Sequence, residues 1–257
     1  MKQKNTIAVL NQKGGVGKTT TAINLAAYLA QDKKRVLVVD ADPQGNATSG
    51  LGIDSKKLEA NLADLLAGSK ALKDVIIKTR SKNLDILPCD GRLASAELEL
   101  ASVENREFAL KKALESAGDY DYVLIDCPPS LGLLTVNALV AADLVLIPVQ
   151  AEYYALEGLS QLLQVMQKVR EGLNPDLELL GVVVTMFDKR TSLATQVYNE
   201  VKRHFGDKLL NTVIPRNIRL AEAPSYGRPI SEHDRWSKGA RAYKKLTKEI
   251  VVNRERK

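Results

Sequence analysis

Aromatic residues, cysteines and long apolar runs are all scarce in this sequence of 257 residues. Aromatic residues make up 5% of the chain, so valine, isoleucine, leucine and alanine must build the core. The two cysteines, Cys89 and Cys127, show neither a C-x-x-C pair nor a metal-binding spacing, which predicts a reducing, intracellular protein without disulfides. No apolar run reaches the roughly 18 residues of a membrane span. The early first strand also predicts that no signal peptide is present.

Positive charge is concentrated in the last quarter of the chain. Residues 1–185 carry 20 Lys/Arg and 23 Asp/Glu, a net charge of −3, whereas residues 186–257 carry 17 Lys/Arg and 8 Asp/Glu, a net charge of +9. Such an asymmetry favours a surface that faces a polyanion, although a merely solvated basic face would give the same count.

Apolar runs with strand character alternate with helical patterns along the whole chain. Strands are predicted at 7–10, 36–39, 86–88, 122–125, 144–149, 180–185 and 212–214, and helices near 18–31, 59–67, 104–117, 132–141, 155–171, 194–205 and 237–252. Nearly continuous apolar strands between helices predict an α/β fold with a mostly parallel, twisted sheet flanked by helices on both faces. We expect a single domain over 1–257, because no linker composition interrupts the pattern.

A glycine-rich turn between the first strand and the first helix is the most informative segment. It reads K-G-G-V-G-K-T-T and consists of Lys13, Gly14, Gly15, Val16, Gly17, Lys18, Thr19 and Thr20. Such a turn directs backbone N–H groups at an anion, Lys18 adds charge for the outer phosphates, and the Thr19 hydroxyl can bind Mg²⁺. The strict motif G-x-x-x-x-G-K-[ST] fails, because residue 12 is glutamine, and a second lysine, Lys13, follows it.

Three aspartates follow predicted strands at the edge of the sheet where ligands bind. Asp40 and Asp42 come after the second strand and Asp126 after the fourth. One strand-terminal aspartate is usually a turn or cap residue, but three beside a glycine-rich turn favour a nucleotide and Mg²⁺ site. A dinucleotide fold is disfavoured, because Gly14, Gly15 and Gly17 do not fit G-x-G-x-x-G.

Together, K-G-G-V-G-K-T-T, V-D-A-D-P-Q-G-N at 39–46 and D-C-P-P-S at 126–130 resemble the deviant Walker-A ATPases of the ParA/MinD group. Segments 187–191, 215–224 and 225–229 narrow the resemblance to chromosomal, Soj-like ParA partition ATPases, and it covers nearly the whole chain. The resemblance implies a P-loop NTPase-like fold, ATP and Mg²⁺ as cofactors, and an ATP-dependent homodimer in which two protomers pack face to face.

The same resemblance assigns roles to individual residues. It implies that Lys13 reaches the partner's phosphates, Lys18 serves its own nucleotide, Asp42 positions the hydrolytic water, and Gly15 lies where the two P-loops meet. The resemblance also implies that Thr19 binds Mg²⁺ directly and that Asp126 supports it through water. Asp40 is a further candidate metal ligand. The neighbours implied for adenine are Met186, Pro215 and Asn217, and Glu152 is implied to contact nucleotide across the dimer.

The final predicted helix places its cations on one face. At 100° per residue, Lys238, Arg241 and Lys245 lie together, opposite Tyr243, Leu246 and Ile250. No base-stacking pattern accompanies the basic residues of 186–257, so we expect sequence-independent binding to the phosphates of double-stranded DNA. Further candidate DNA contacts are Lys202 and Arg203, together with Arg190 and Arg219, whose positions the resemblance supports.

The leading hypothesis is a partition ATPase whose ATP-bound dimer binds DNA and whose slow hydrolysis a ParB-type centromere-binding partner stimulates. This predicts a cytoplasmic, nucleoid-associated protein. A MinD-like membrane-cycling ATPase is the alternative, but segment 251–257 is too polar to insert into a membrane. An iron–sulfur ATPase lacks suitably placed cysteines, and a transcription regulator would need a separate reading domain.

Overall fold

The computed structural model describes residues 5–118, 120–152 and 157–255, and its centre is a seven-stranded sheet. The strands are β1 (Asn5–Val9), β2 (Val36–Asp40), β3 (Ile77–Lys78), β4 (Leu84–Leu87), β5 (Tyr122–Asp126), β6 (Leu144–Gln150) and β7 (Glu178–Thr185). Their order is β3-β4-β2-β5-β1-β6-β7, and every neighbouring pair is parallel except β3 and β4. The predicted mostly parallel sheet is confirmed.

Helices follow most of the strands. They are α1 (Lys18–Gln31), α2 (Asn46–Gly50), α3 (Leu62–Leu66), α4 (Leu72–Val75), α5 (Arg92–Leu100), α6 (Ala109–Leu114), α7 (Leu133–Ala141), α8 (Glu157–Gly172), α9 (Ser192–Phe205), α10 (Ile218–Glu222), α11 (Ile230–His233) and α12 (Lys238–Glu255). Short 3₁₀ turns lie at Ser55–Lys57, Arg106–Phe108, Gly206–Lys208 and Ala223–Tyr226. Within the described ranges, no helix combines the length and apolar character needed to cross a membrane.

The sheet separates two apolar cores, as the predicted helices on both faces require. Alternate residues of β1 point to opposite sides: Ala8 belongs to one core and Ile7 and Val9 to the other. The first core packs α3, α7, α8 and α9 against the sheet, and the second packs α1, α10 and α12. Helices α9 and α12 therefore lie on opposite faces of the sheet.

Helix α12 docks on α1 through the apolar face that the sequence predicts. Tyr243, Leu246 and Ile250 are buried, with at most 1% of their surface exposed. The hydroxyls of Tyr243 and Thr21 are 3.0 Å apart and share a hydrogen bond, which links α12 to the helix that follows the glycine-rich turn. The lysines of α12 and Arg241 consequently face outward.

One predicted strand, 212–214, is wrong. The segment runs beside β7, and the Ile214 N–H donates to the Val184 carbonyl at 2.8 Å. However, the N–H groups of Asn211 and Thr212 donate to the Glu249 carboxylate of α12, at 2.6 and 2.9 Å. Because these donors are used by a side chain, the segment cannot form a continuous ladder with β7.

Strand β3 and the helices α2, α4, α5, α10 and α11 were not predicted. Helix α5 buries only Leu93 and Leu100 and leaves Leu98 78% exposed, so its sequence lacks a broad apolar stripe. Strand β3 has only two residues and pairs antiparallel with β4, and so short a strand carries no periodicity to detect. The predicted helix near 155–171 is α8, whose first two predicted residues lie outside the described part.

Candidate nucleotide-binding site

The glycine-rich turn lies between β1 and α1, at the carboxyl edge of the parallel strands. Gly15 and Gly17 have φ angles of +74° and +91°, a left-handed conformation that glycine adopts readily. No side chain caps the N-terminus of α1 at Gly17. The free N–H groups and the helix dipole together form a site for an anion, as the sequence predicts.

Side chains from distant strands hold this turn in place. The Thr185 hydroxyl, at the end of β7, donates to the Val16 carbonyl at 2.8 Å. The Asn11 amide donates to the Pro148 carbonyl at 2.7 Å, and its oxygen accepts the Lys13 N–H at 3.0 Å. Neither Thr185 nor Asn11 was predicted, because only the fold brings these partners to the turn. They fix the backbone before any ligand arrives.

Lys18 lies inside the site. Its side chain is largely buried, and its Nζ is 3.4 Å from the Lys13 carbonyl, so it spans the turn. Burial lowers the pKa of Lys18, although the nearby Asp126 and Asp42 carboxylates raise it. Lys18 lines a cavity of about 440 Å³ together with Gly14, Gly15, Thr19 and Asp42, a size within the range of ligand pockets.

Lys13 takes a different direction from Lys18. Its Nζ is 3.0 Å from the Glu152 carboxylate, whose other oxygen is 3.9 Å from the Arg216 guanidinium. Lys13 is not one of the residues that line the 440 Å³ cavity. Both side chains of the Lys13–Glu152 pair are about 40% exposed, so the pair contributes little to the stability of the fold. Lys13 can therefore leave Glu152 for another anionic partner at little cost.

Asp40 and Asp126 lie side by side at the ends of β2 and β5, where they are paired in register. Asp40 is fully buried, and its Oδ2 accepts hydrogen bonds from the backbone N–H and the hydroxyl of Thr48, both at 2.7 Å. Burial raises the pKa of Asp40 to about 6, although the Thr48 hydrogen bonds lower it. Asp40 therefore fastens α2 to β2, a role that the sequence did not reveal, and its role as a metal ligand remains a prediction.

Asp42 lies two residues beyond β2 and lines the cavity. Its Oδ1 accepts the Gln44 N–H at 3.0 Å, and its carbonyl accepts the Cys89 thiol at 2.8 Å and the Gly45 N–H at 2.9 Å. This tight turn holds the carboxylate beside Lys18 and Thr19. Cys89 is thereby used in packing the turn, and both cysteines are buried and free.

Asp126 has the features expected of a cation ligand. It is fully buried, and neither carboxylate oxygen has a hydrogen-bond partner among the described residues. Burial and the Asp40 carboxylate raise its pKa well above the ordinary value, while Thr19 and Lys18 lower it. A buried carboxylate without partners destabilises the fold unless a ligand satisfies it.

These residues fit Mg²⁺ only together with a phosphate. In the described part of the chain, no group of three or more His, Cys, Asp or Glu side chains could hold a metal ion. Mg²⁺ commonly takes one or two protein ligands and fills its other positions with phosphate oxygens and water. The Thr19 hydroxyl and the unsatisfied Asp126 carboxylate would supply the protein oxygens.

A second cavity, of about 370 Å³, continues from the first, and Gly17, Thr20 and Met186 line both. Backbone hydrogen bonds between Phe187 and its neighbours Ile214 and Arg216 hold Met186 beside Pro215. Asn217 also lines this cavity, and its side-chain oxygen is buried without a hydrogen-bond partner in the described structure. The three residues predicted to surround adenine thus share one cavity beside the glycine-rich turn.

The predicted DNA contacts do not share one face. Lys238, Arg241 and Lys245 are exposed on α12, and none of them forms an ion pair within the described residues. Lys202 and Arg203 lie on α9, across the sheet, where Arg203 pairs with Glu200 at 2.9 Å. The other two predicted contacts also have partners: Arg190, in the turn before α9, pairs with Asp188 at 2.7 Å, and Arg219, on α10, pairs with Glu222 at 2.9 Å.

Asp126→Asn is expected to raise the unfolding free energy of the nucleotide-free protein by about 1–3 kcal/mol at neutral pH, because it removes a buried charge that Thr19 and Lys18 compensate only in part. Since the pKa of Asp126 is raised on folding, its ionisation lowers stability as the pH rises from the unfolded to the folded value. The parental protein should therefore gain more stability than the variant as the pH falls from about 7 to about 5.

Urea unfolding at the two pH values measures this effect. The exposed Asp74→Asn on α4 is the matched control, and we expect it to leave both the stability and its pH dependence unchanged. A variant Asp126→Asn that is less stable than the parent at neutral pH would show that the carboxylate is satisfied in the free protein.

The strand order and the glycine-rich turn, with its uncapped helix and converging aspartates, define a P-loop nucleotide-binding protein with a second lysine in the loop. Residues 4–179 match a family described as an AAA domain. The sporulation initiation inhibitor protein Soj of Bacillus subtilis is 56% identical over 96% of this chain and 98% of its own length. The chromosome partitioning protein ParA of Caulobacter vibrioides is 51% identical over 97% of this chain and 94% of its own length. The chain belongs to the Soj/ParA family of chromosome-partitioning ATPases.

A solved structure supports the fold assignment independently. A Mycobacterium smegmatis protein named cobyrinic acid a,c-diamide synthase, with a bound ATP analogue and magnesium, matches with a TM-score of 0.87 and 38% identity. The match covers 98% of this chain and 96% of that one. The predicted P-loop NTPase-like fold and the predicted family are confirmed.

Proposed function

We propose that this protein is an ATP-dependent DNA-segregation protein that acts as one domain over residues 1–257. In its ATP-bound state it forms a dimer that binds double-stranded DNA without sequence preference, and ATP hydrolysis releases the DNA. The names of the relatives at 51–56% identity and the geometry of the glycine-rich turn support this proposal.

ATP would place its phosphates at the uncapped N-terminus of α1, beside the buried Lys18, and its base between Met186, Pro215 and Asn217. The unsatisfied Asn217 oxygen is suited to accept a hydrogen bond from the amino group of adenine. Mg²⁺, when bound, would neutralise charge on the β- and γ-phosphates. Asp42 would orient the attacking water, because its carboxylate is held at the edge of the same cavity.

The direction of the Lys13 side chain carries the dimer part of the proposal. Lys13 follows the position of the missing motif glycine, yet its ammonium group contacts Glu152 rather than its own cavity. A weak surface pair of this kind can give way when a second protomer brings its phosphates close. A cation delivered from a partner would then stabilise the charge that develops on the transferred phosphoryl group.

Gly15 is consistent with such an interface. Apart from its two chain neighbours, a β-carbon added at Gly15 would meet no atom of the described residues within 4 Å, so the exposed turn leaves room for a second protomer. A bulky residue there would project into that space, although its φ of +74° adds backbone strain to any substitution.

DNA binding would follow from dimer formation. One protomer's cations would bind DNA weakly, with a dissociation constant of about 10⁻⁴ to 10⁻⁶ M. Two linked sets of cations make the second contact intramolecular and can raise the affinity about 100-fold or more. We further propose that a ParB-type partner stimulates hydrolysis, which would release the protein from the nucleoid and move the attached DNA.

Co-sedimentation with ATP or ADP, with and without a random-sequence DNA duplex, tests the proposal. We expect a dimer with ATP and Mg²⁺, DNA retention only in that state, and monomers without DNA in ADP. DNA retention that is equal in ATP and ADP would contradict the switch, and the absence of retention in both would contradict the assignment of DNA as the partner.

Asp42→Ala is expected to lower the ATP hydrolysis rate by about 10²- to 10⁴-fold, because the attacking water loses its positioning carboxylate. ATP-dependent dimer formation and DNA retention should persist, since Lys13 and Lys18 are unchanged. A phosphate-release assay beside DNA co-sedimentation measures both quantities, with the exposed Asp74→Asn as control. Normal hydrolysis by Asp42→Ala would assign water positioning to another residue.

A further inference from the structure

Trp236 is the one tryptophan of the chain, and 74% of its surface is exposed. It directly precedes α12, and the guanidinium carbon of Arg235 lies 4.9 Å from the centre of its ring. Neither apolar core includes it. The fold therefore presents a large aromatic side chain to solvent beside a cation.

Packing of the α12 N-terminus does not explain this residue. The Ser237 hydroxyl caps the helix by accepting the Ala240 N–H at 3.0 Å. A residue in the position of Trp236 commonly packs against the fourth residue of the helix, but here that residue is the exposed cation Arg241. Trp236 therefore has no apolar helix partner in the position where one is usual.

The surroundings of Trp236 are strongly basic. The backbone N–H of Trp236 donates to one oxygen of Asp234 at 3.1 Å, and the other oxygen of Asp234 is 3.6 Å from the Arg219 side chain. Asp234 thereby links the start of α12 to helix α10, which carries the predicted DNA contact Arg219. Residues 234–248 contain six Lys/Arg and one acidic residue, although Glu222 also neutralises Arg219. The surface formed by residues 234–248 thus suits a polyanionic partner that also offers apolar groups.

We propose that Trp236 and Arg235 form an apolar and cationic contact with duplex DNA, an inference that rests on the proposed DNA-binding function. Arg235 and the α12 lysines would neutralise phosphates, while the indole would pack against sugars and base edges in the adjoining groove. Tryptophan and arginine dominate the energetics of many interfaces, and packing against sugars in a groove requires no particular base sequence. The contact would therefore add affinity that does not depend on counterion release.

Tryptophan fluorescence, excited at a wavelength that the eight tyrosines do not absorb, tests this directly, because Trp236 is the one tryptophan of the chain. With ATP, Mg²⁺ and a random-sequence duplex, we expect the indole to be quenched and protected from acrylamide, with no change in ADP. Co-sedimentation on the same samples reports DNA binding separately. If the protein is DNA-bound while the indole stays accessible, the contact is absent; if the protein does not bind DNA at all, the proposed function fails as well.

Protection by ATP without DNA would assign the tryptophan to a contact between protomers. Protection only by vesicles of anionic lipid, without any by DNA, would assign it to a membrane surface. Either result would overturn the proposal, since both place Trp236 against a different partner.

Variants separate the tryptophan from the surrounding charge. Trp236→Ala is expected to weaken ATP-dependent DNA binding by about ten-fold while leaving the slope of affinity against salt unchanged. Trp236→Phe should retain most of the affinity. Tyr226→Ala is the matched control, because Tyr226 is 63% exposed in the same region but stacks on His233 at 4.8 Å. An unchanged affinity for Trp236→Ala, with a normal melting temperature, would refute the contact.

Discussion

Lys13→Ala is expected to lower the ATP hydrolysis rate by about 10³-fold or more while ATP binding by each protomer persists. The reason is that the two lysines point to different places. Lys18 is buried in its own cavity, whereas Lys13 is directed at Glu152 and does not line that cavity. A phosphate-release assay and binding of a fluorescent ATP analogue measure the two properties separately. The exposed Lys34→Ala, beyond the far end of α1, is the control.

Mixing two inactive variants tests whether Lys13 acts across the dimer. In a mixed dimer of Lys13→Ala and Asp42→Ala, the protomer that retains Asp42 would receive Lys13 from its partner. Random pairing should then restore about one quarter of the parental activity, because half of the dimers are mixed and each has one complete site. If Lys13 acted on its own nucleotide, every site would lack one residue and the mixture would stay inactive.

A Lys13→Ala variant that hydrolyses ATP at the parental rate would contradict the assigned role altogether. Loss of ATP binding would point instead to an effect on the turn itself, which Lys13 also stabilises through its backbone hydrogen bonds with Asn11 and Lys18. Because those hydrogen bonds use the Lys13 backbone and not its side chain, we expect the alanine variant to keep them.

Much of the fold could be predicted from the sequence, because buried parallel strands appear as short apolar runs. The carboxyl ends of β1, β2 and β5 then had to share one edge, which placed the glycine-rich turn beside Asp40 and Asp126. The amphipathic pattern of α12 also predicted its buried and exposed faces. In each case a local pattern determined the outcome.

The residues that could not be predicted act over long separations in the sequence. Thr185 holds the turn from 169 positions away, and Thr48 satisfies Asp40 from the start of a short helix. The Glu249 carboxylate accepts the backbone N–H groups of Asn211 and Thr212, and this prevents the predicted strand at 212–214 from forming. None of these polar interactions leaves a periodic signal, so only the folded structure brings them out.

Neutralising α12 is expected to have the largest effect on DNA binding. We predict that replacing Lys238, Arg241 and Lys245 together by glutamine weakens ATP-dependent binding by about 10²-fold or more. The slope of log affinity against log salt should fall by about 0.9 for each phosphate that the variant no longer neutralises. These cations are exposed and have no ion-pair partner among the described residues, so they are free to bind phosphates. Titrating a labelled duplex at several salt concentrations measures both quantities.

The matched comparison is the substitution of Lys202 and Arg203 on α9 by glutamine. Their helix packs on the opposite face of the sheet, and Arg203 is already paired with Glu200. We therefore expect a smaller decrease in affinity and a smaller change in slope than for α12. Equal ATP-dependent dimer formation in both variants would exclude an indirect effect through the nucleotide site. If the α9 variant failed to bind DNA and the α12 variant still bound it, the DNA surface would lie on the opposite face of the sheet, away from Trp236.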